Sequence, residues 1–454
     1  MKYFKHTFLW IIILAAVAGY SLIDFKRTEI EEIKKDEATR LLPFMPKDVM
    51  AITLEKEERV IELERWEDGW RIVKPIDAKA KSETVEKFLT YVTESRNDAD
   101  YVMDPDPTPA RLTEFGLLNP RLLATLKVGK ELTPYTLIFG ARAPTKGVSF
   151  AQLKGQKPVY RVLADAHAQA NQDLYYFRDK SILRLEPVMI NQLVIVRPDI
   201  KIRLNLPDSA AKWELEKPVK ARADHNRVFE LLGAFKNAEI KEFIAETQDN
   251  LSSYGLDKPD IKLLFWLAGD TEPTVTLSIG KRSPQKRGYF SLMTDRNYIF
   301  LLEEETVNAI PNHENDLRSR ELLFFDKDKL KRIEIRQPDQ TIVLVKDMER
   351  DWRLNNLNSE KVDFNLVREL LDELINAEIK DFLTEEATSD LGKFGLEPAS
   401  VQVLIWPEDR AVPISLSIGE KTPSGYVYAQ SGSENIILAI EARIKNFLLT
   451  HFNI

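Results

Sequence analysis

Hydrophobic and polar positions along the chain fall into one pattern that occurs three times. Alternating apolar and polar residues mark a half-buried strand. Such stretches carry a tryptophan in the segments DGWRIVKP, AKWELEKP and RDWRLNNL, which hold Trp70, Trp213 and Trp352. Further strand-like runs lie upstream, at 60–63, 200–206 and 341–345, and the polar breaks between runs predict hairpin turns. Counted forward from each Trp, apolar residues fall at offsets 15, 18, 19 and 22 in all three copies. They are Val85, Phe88, Leu89 and Val92, then Val228, Leu231, Leu232 and Phe235, then Val367, Leu370, Leu371 and Leu374. This spacing is one face of an amphipathic helix. Asp224 and Asp363 precede the second and third helices as N-caps, with Ser82 one position later in the first.

A second landmark follows in LTEFGLLNP, LSSYGLDKP and LGKFGLEP. Each predicts a short helix ended by Gly116, Gly255 or Gly395, where a left-handed residue is needed. Pro120, Pro259 and Pro398 then prevent continuation. Two strands come next, the second ending at Gly140, Gly280 or Gly419 in TLIFG, TLSIG and SLSIG. Extended runs GVSFAQ, GYFSL and GYVYA, last strands VYRVL, IFLLE and IILAI, and a short terminal helix complete each copy. FRDKSIL and LRSRELL end the first two copies, and the third lacks that segment. The fold class is therefore α+β, as three tandem repeats of a mainly antiparallel sheet-plus-helix module. A period of 143 residues, then 139, means tandem domains rather than a thin solenoid. The expected modules are 48–186, 187–325 and 326–454.

Phe8 to Ile23 is a continuous apolar run preceded by Lys2 and Lys5. It predicts a transmembrane helix within 1–23. Ala16-Val17-Ala18 would suit cleavage of a signal peptide, but the run continues through Tyr20, Leu22 and Ile23, which favours an uncleaved signal-anchor. Residues 24–47 read as a charged stalk, helical as far as Leu42 and stopped by Pro43 and Pro46. Basic residues are more numerous after the run than before it, which argues against an inside N-terminus. The after-run flank also carries acids, and a long domain crosses regardless of charge, so the expected topology is N-terminus inside. That places the bulk in the periplasm, or outside the cytoplasm, on a single-pass anchor in the inner (cytoplasmic) membrane.

Charge and chemistry narrow the function. The net charge of -8 comes from 64 basic and 72 acidic residues well mixed, which disfavours nucleic acid as a partner. Without cysteine there is no thiol nucleophile, thiolate metal site or disulfide. His6, His167, His225, His313 and His451 have no repeated equivalents and no HExxH spacing. GARAPTKG at 140–147 lacks the GK[ST] of a phosphate loop and reads as a hairpin turn, and no GxSxG elbow is present. The acidic runs at 242–249 and 384–390 read as solvated loops or helix starts, and DPDPTP at 104–109 as a rigid turn into a helix. No catalytic, cofactor-binding or metal residue is assigned, no cofactor is expected, and no small-molecule ligand is identifiable. Trp70, Trp213 and Trp352, with Trp266 and Trp406, could stack on a sugar polymer, but their strand alternation favours core plugs.

The apolar N-terminal run, Trp-x-[IL]-x-x-P, the amphipathic helix, [FY]-G-L-x-x-P, L-x-[IF]-G and the terminal L-R-D/S-x-x-L together resemble a bacterial membrane-anchored family named domain of unknown function 4340. The resemblance covers the chain from about Asp48 onward. It implies tandem repeats, no known catalytic residues, and a partner among the permease subunits of gliding-motility-type ABC transporters. Leu357 departs from it, standing where Pro75 and Pro218 stand in the other copies. The expected function is a non-enzymatic scaffold or binding protein accessory to an ABC-type transporter. A cell-envelope glycan binder is the alternative, and a hydrolase would need a cleft with convergent acids or histidines. Reporters active only on one side of the membrane, fused after Ile454, test the topology. Activity is expected outside the cytoplasm, and cytoplasmic activity overturns the assignment.

Overall fold

Each of the three copies builds one antiparallel sheet that carries a long helix on one face. The structure, a computed structural model, describes residues 39–454 apart from 97–99, 208–211, 348, 350, 355–361, 385–389, 433 and 453–454. The first module runs β1 (Val49–Lys56), β2 (Arg59–Trp66), β3 (Gly69–Lys74), β4 (Ala78–Lys79), α1 (Ser82–Thr93), β5 (Val102–Asp104) and α2 (Pro109–Glu114). It continues with β6 (Leu122–Val128), β7 (Thr133–Arg142), β8 (Val148–Leu153), β9 (Val159–Leu163), α3 (Ala164–Ala170) and α4 (Leu174–Phe177). The strand order is β4-β3-β2-β1-β6-β7-β8-β9-β5.

The second module repeats this. Its elements are β10 (Ile190–Val196), β11 (Lys201–Asn205), β12 (Glu214–Lys217), β13 (Ala221–Arg222), α5 (His225–Asn237), β14 (Glu242–Ala245) and α6 (Leu251–Tyr254). Then come β15 (Ile261–Leu267), β16 (Val275–Arg282), β17 (Tyr289–Met293), β18 (Ile299–Leu302) and α7 (Glu304–Asn308). The third has β19 (Leu330–Gln337), β20 (Gln340–Lys346), β21 (Trp352–Leu354), α8 (Phe364–Ile375), β22 (Ile379–Phe382), β23 (Val401–Pro407), β24 (Ile414–Lys421), β25 (Val427–Ser431), β26 (Glu434–Ile440) and α9 (Ala442–His451). Its sheet has eight strands among the described residues, against nine in the others.

Burial follows the periodicity. All four offset positions of α1, α5 and α8 are buried, and Phe88 and Leu370 are fully enclosed. Trp70, Trp213 and Trp352 lie in the same three cores, so the core reading of these residues holds. The Asp224 carboxylate accepts the Asn226 and Arg227 amides, and Asp363 accepts the Asn365 amide. In the first module Ser82 is the first helical residue, and its hydroxyl accepts the Trp70 amide at 3.0 Å.

The short helix packs on the other face. In β8, Ala151 and Leu153 join the main core while Phe150 points the opposite way, onto Phe115 and Leu117. The same aromatic pair recurs: Phe115–Phe150 at 4.7 Å, Tyr254–Phe290 at 5.0 Å and Phe394–Tyr428 at 5.0 Å between ring centroids. Gly116, Gly255 and Gly395 are left-handed, as the sequence requires.

Several expectations need correction. The modules are joined earlier than residues 186 and 325. Ile182 and Leu183 belong to the second core, and Leu322 and Leu323 to the third. The stalk expected over 24–47 overlaps the first module, because Leu41, Leu42 and Phe44 are buried in its core and Arg40 forms a β-bridge with Arg96. Hydrophobic drive takes these Leu residues out of a solvated helix. The acidic run from Glu242 starts as strand β14, paired with β18, rather than as a loop. The transmembrane helix expected over 1–23, Leu357, and most of the 384–390 run lie outside the described residues. Among the described residues no helix is long and apolar enough to cross a membrane.

Replacing Phe88 with Ala leaves a cavity as well as losing burial, and is expected to cost roughly 2–5 kcal/mol. Hydrogen exchange checks it. Protection should fall within 39–180 and persist in 181–454, the two units into which the fold divides.

Candidate functional site

The segment LRSRELL, read from sequence only as the end of a copy, is an arm that closes the second module and opens the third. Leu317 fills the second core, and its carbonyl accepts the Asp224 amide at 2.7 Å. Arg318 bridges to Ala223, and the Ser319 amide donates to the Arg222 carbonyl at 2.8 Å. Then Glu321 bridges to Glu378 in the third module. The arm thus adds backbone pairing at the margins of two sheets, which covers edges that would otherwise stay open.

Its arginines grip the third module. Arg320 donates through one nitrogen to the Ile379 and Lys380 carbonyls at 2.9 and 2.8 Å, and its own carbonyl accepts the Ile379 amide at 2.8 Å. The Arg318 guanidinium sits 4.0 Å from the centre of the Phe382 ring, a cation–π contact. Between arm, α5 and the end of α8 lies a cleft of about 490 Å³, with Lys212, Arg222, His225, Arg320, Glu321 and Glu378 on its walls. Lys212 is 4.0 Å from Glu321, and Lys212 and Arg222 stand over the exposed Phe324 ring at 4.9 and 5.2 Å. The Nδ1 of His225 is buried with no hydrogen-bond partner among the described residues. Cations and anions balance across the cleft. It suits a polar partner segment carrying both signs rather than a phosphate, because Asp224 already caps the first turn of α5.

The residues weighed from sequence are scattered. Burial, then the Arg142 charge, push the His167 pKa down, so its ring stays neutral on α3 near Phe139. His313 is exposed beside Glu314, and His451 stacks on Phe447 at 4.6 Å. The structure brings none of these to His225, and His6 lies outside the described residues. The 140–147 segment is the end of β7 and the turn into β8, part of a hairpin, and DPDPTP leads into α2 with Thr108 as its cap. Asp347, Glu349 and Asp351 bring carboxylate oxygens within 4.8 Å of one another in the turn from β20 to β21. Burial pushes the Asp347 carboxyl up, but the Arg353 guanidinium and the Asp351 and Glu349 amides outweigh this and hold it low.

The open sheet faces do not stand out as surfaces in the sequence, and the core-plug expectation fails for Trp266 and Trp406 because they point away from the core. Trp266 and Trp406 occupy equivalent half-buried positions there, opposite Gln192 and Arg332. Arg332 lies 4.9 Å over the Trp406 ring and 2.7 Å from Glu334, which Arg336 also holds at 2.6 Å. In the first module the corresponding pairs are Ala51 with Lys127 and Thr53 with Thr125. Alternation within β15 and β23 was the available signal, since Trp266 and Trp406 sit out of phase with their core-facing neighbours.

A family model described as Domain of unknown function (DUF4340) matches residues 70–210, 213–363 and 352–454. Each match begins at or next to one of the repeated core tryptophans, so the first two run on into the opening strands of the following sheet. No curated protein and no solved structure matches.

Arg320→Ala removes both hydrogen bonds to the β22 carbonyls. It is expected to cost about 1.5–3 kcal/mol. Amide exchange should quicken over Ile379–Phe382 while the β10–β11 amides stay protected.

Proposed function

The chain belongs to the family described as Domain of unknown function (DUF4340), present here as three tandem copies, and on that premise we propose that it is a non-enzymatic scaffold or binding protein. In this reading residues 8–23 anchor it in the cytoplasmic membrane, the modules lie outside the cytoplasm, and an ABC-type transporter is its partner. One observation carries the reading. Every landmark common to the three copies serves packing or backbone geometry: the core tryptophans, the helix faces, the left-handed glycines and the aromatic pairs. The copies differ at their open faces and at the arm-lined cleft. A repeated frame with varied surfaces is what a scaffold needs, because specificity then resides in surface side chains.

Purification of the full chain from its own membranes in mild detergent, after brief crosslinking, tests this. Transporter permease subunits are expected to co-purify. Repeated recovery of the chain alone overturns the reading.

The second reading, a glycan-binding envelope protein, rests on Trp266 and Trp406. They lie on open faces, as the exposed Trp66 does in the first module, whereas Trp70, Trp213 and Trp352 are enclosed. Aromatic rings beside polar side chains are suited to sugar stacking. Retention on an insoluble cell-wall glycan, abolished by Trp266→Ala and Trp406→Ala together, would favour it over the first.

A further inference from the structure

The first module carries an apolar corner beside the point where the chain enters it from the N-terminal side. A 3-10 turn (Pro46–Asp48) and the β6–β7 turn are tied together there by the Gly129 amide, which donates to the Asp48 carbonyl at 2.9 Å. Met45 and Met50 flank the 3-10 turn, each 37% exposed, and Leu132 in the β6–β7 turn is 47% exposed with a left-handed backbone. Phe44, buried against Tyr135 at 4.9 Å between ring centroids, supports the corner from beneath. Lys47 and Lys130 are exposed at its rim and Lys127 is half-buried. None of the three has an ion-pair partner among the described residues. The acids nearby are Glu131 and Glu64, which are exposed, Asp48, which is occupied by the Met45 amide, and Glu86, which is paired with the Arg65 that donates to the Pro46 carbonyl. The corner is therefore apolar at its tip, and the three lysines at its edge are free of ion pairs among the described residues and can reach phosphates.

We propose that this corner rests on an anionic phospholipid surface. The inference builds on the anchor reading of residues 8–23. Only residues 24–38 separate that run from the described chain, and fully extended they reach about 50 Å at most. The tether enters the fold at Arg40, whose guanidinium contacts the Met45 sulfur. A lipid occupant thus follows from where the chain outside the structure leads, and from the unpaired lysines of the rim. The equivalent corners of the other modules lack the combination. In the second module Val188 and Met189 are more exposed, at 76% and 57%, but the facing turn carries Asp270 and Glu272 and no basic residue. In the third, exposed Val412 sits among Glu408, Asp409 and Arg410, and the lysines of the facing 3-10 turn, Lys327 and Lys329, are already paired with Asp372 and Asp326.

The absence of cysteine makes an introduced thiol unique, so a site-specific dye reads the contact. Full chain carrying Leu132→Cys, labelled with an environment-sensitive fluorophore, is reconstituted into vesicles of phosphatidylcholine and phosphatidylglycerol. Val188→Cys and Val412→Cys serve as controls. The Leu132 label is expected to shift to the blue and to be quenched by brominated acyl chains, while the controls stay solvent-like. Each of Lys47→Gln and Lys130→Gln should lower the contacting fraction about fivefold, and high salt should weaken it further. A Leu132 label quenched no more than the Val412 label overturns the proposal. If the chain instead fails to integrate and is removed by carbonate, the anchor reading has failed on its own. The same labelled full chain with an N-terminal decahistidine tag, held on nickel-chelating vesicles of that composition, then supplies the tether, and the same comparison decides.

Discussion

In every module the position of the short helix depends on a contact that only hydrogen can make. A Cβ on Gly140 would stand 2.2 Å from the Phe115 carbonyl oxygen, on Gly280 2.3 Å from that of Tyr254, and on Gly419 2.1 Å from that of Phe394. The carbonyl therefore lies directly on the strand backbone, and the Ala141 amide donates to it at 2.7 Å. The strand shifts register at the same place, between Phe139 and Arg142, Ile279 and Arg282, and Ile418 and Lys421. A bulge with glycine at its centre is how a strand accepts a close backbone neighbour. Once the helix end is held there, its aromatic residue must meet the aromatic of the next strand, and one end of the open face is closed in all three copies.

What remains of each open face is free to vary, and it does. The Thr53–Thr125 pair of the first sheet gives way to Val194 with Leu264 in the second and to Glu334 with Leu404 in the third. Burial pushes the Glu334 carboxyl up, but hydrogen bonds from Arg336 and Arg332 outweigh it and hold it low, so it stays charged between two guanidiniums. The helix-bearing core packs on the opposite face, although Val194, Glu334 and Leu404 are themselves buried. That separation of frame from surface lets one repeated fold present different chemistry from each copy.

The arm between the second and third modules acts in a second way. Leu317 and Leu322 are five residues apart yet sit in different cores, with Arg318, Ser319, Arg320 and Glu321 between them forming pairs on both sides. A linker committed at both ends leaves little slack between the second and third modules, which lie within one compact unit, residues 181–454. The cleft is a by-product of the same geometry: the last turn of α8 and the first turn of α5 cannot meet across an extended arm.

The sequence by itself determined the repeat, the helix faces, the core tryptophans and the left-handed glycines, because each follows from local periodicity or from a backbone angle that few residues tolerate. Phe88, Leu231 and Leu370 could be placed by counting alone. Only the tertiary structure decided where a module begins, since Leu41, Ile182 and Leu322 are isolated apolar pairs with no period to read. The same holds for β5, β14 and β22. They are three or four residues long and are strands only because the last strand of their sheet offers an edge. The cleft and the lysine-rimmed apolar corner were equally hidden. Each joins residues distant in the chain, such as Lys212 with Glu378 or Met45 with Leu132, and no local pattern encodes their meeting.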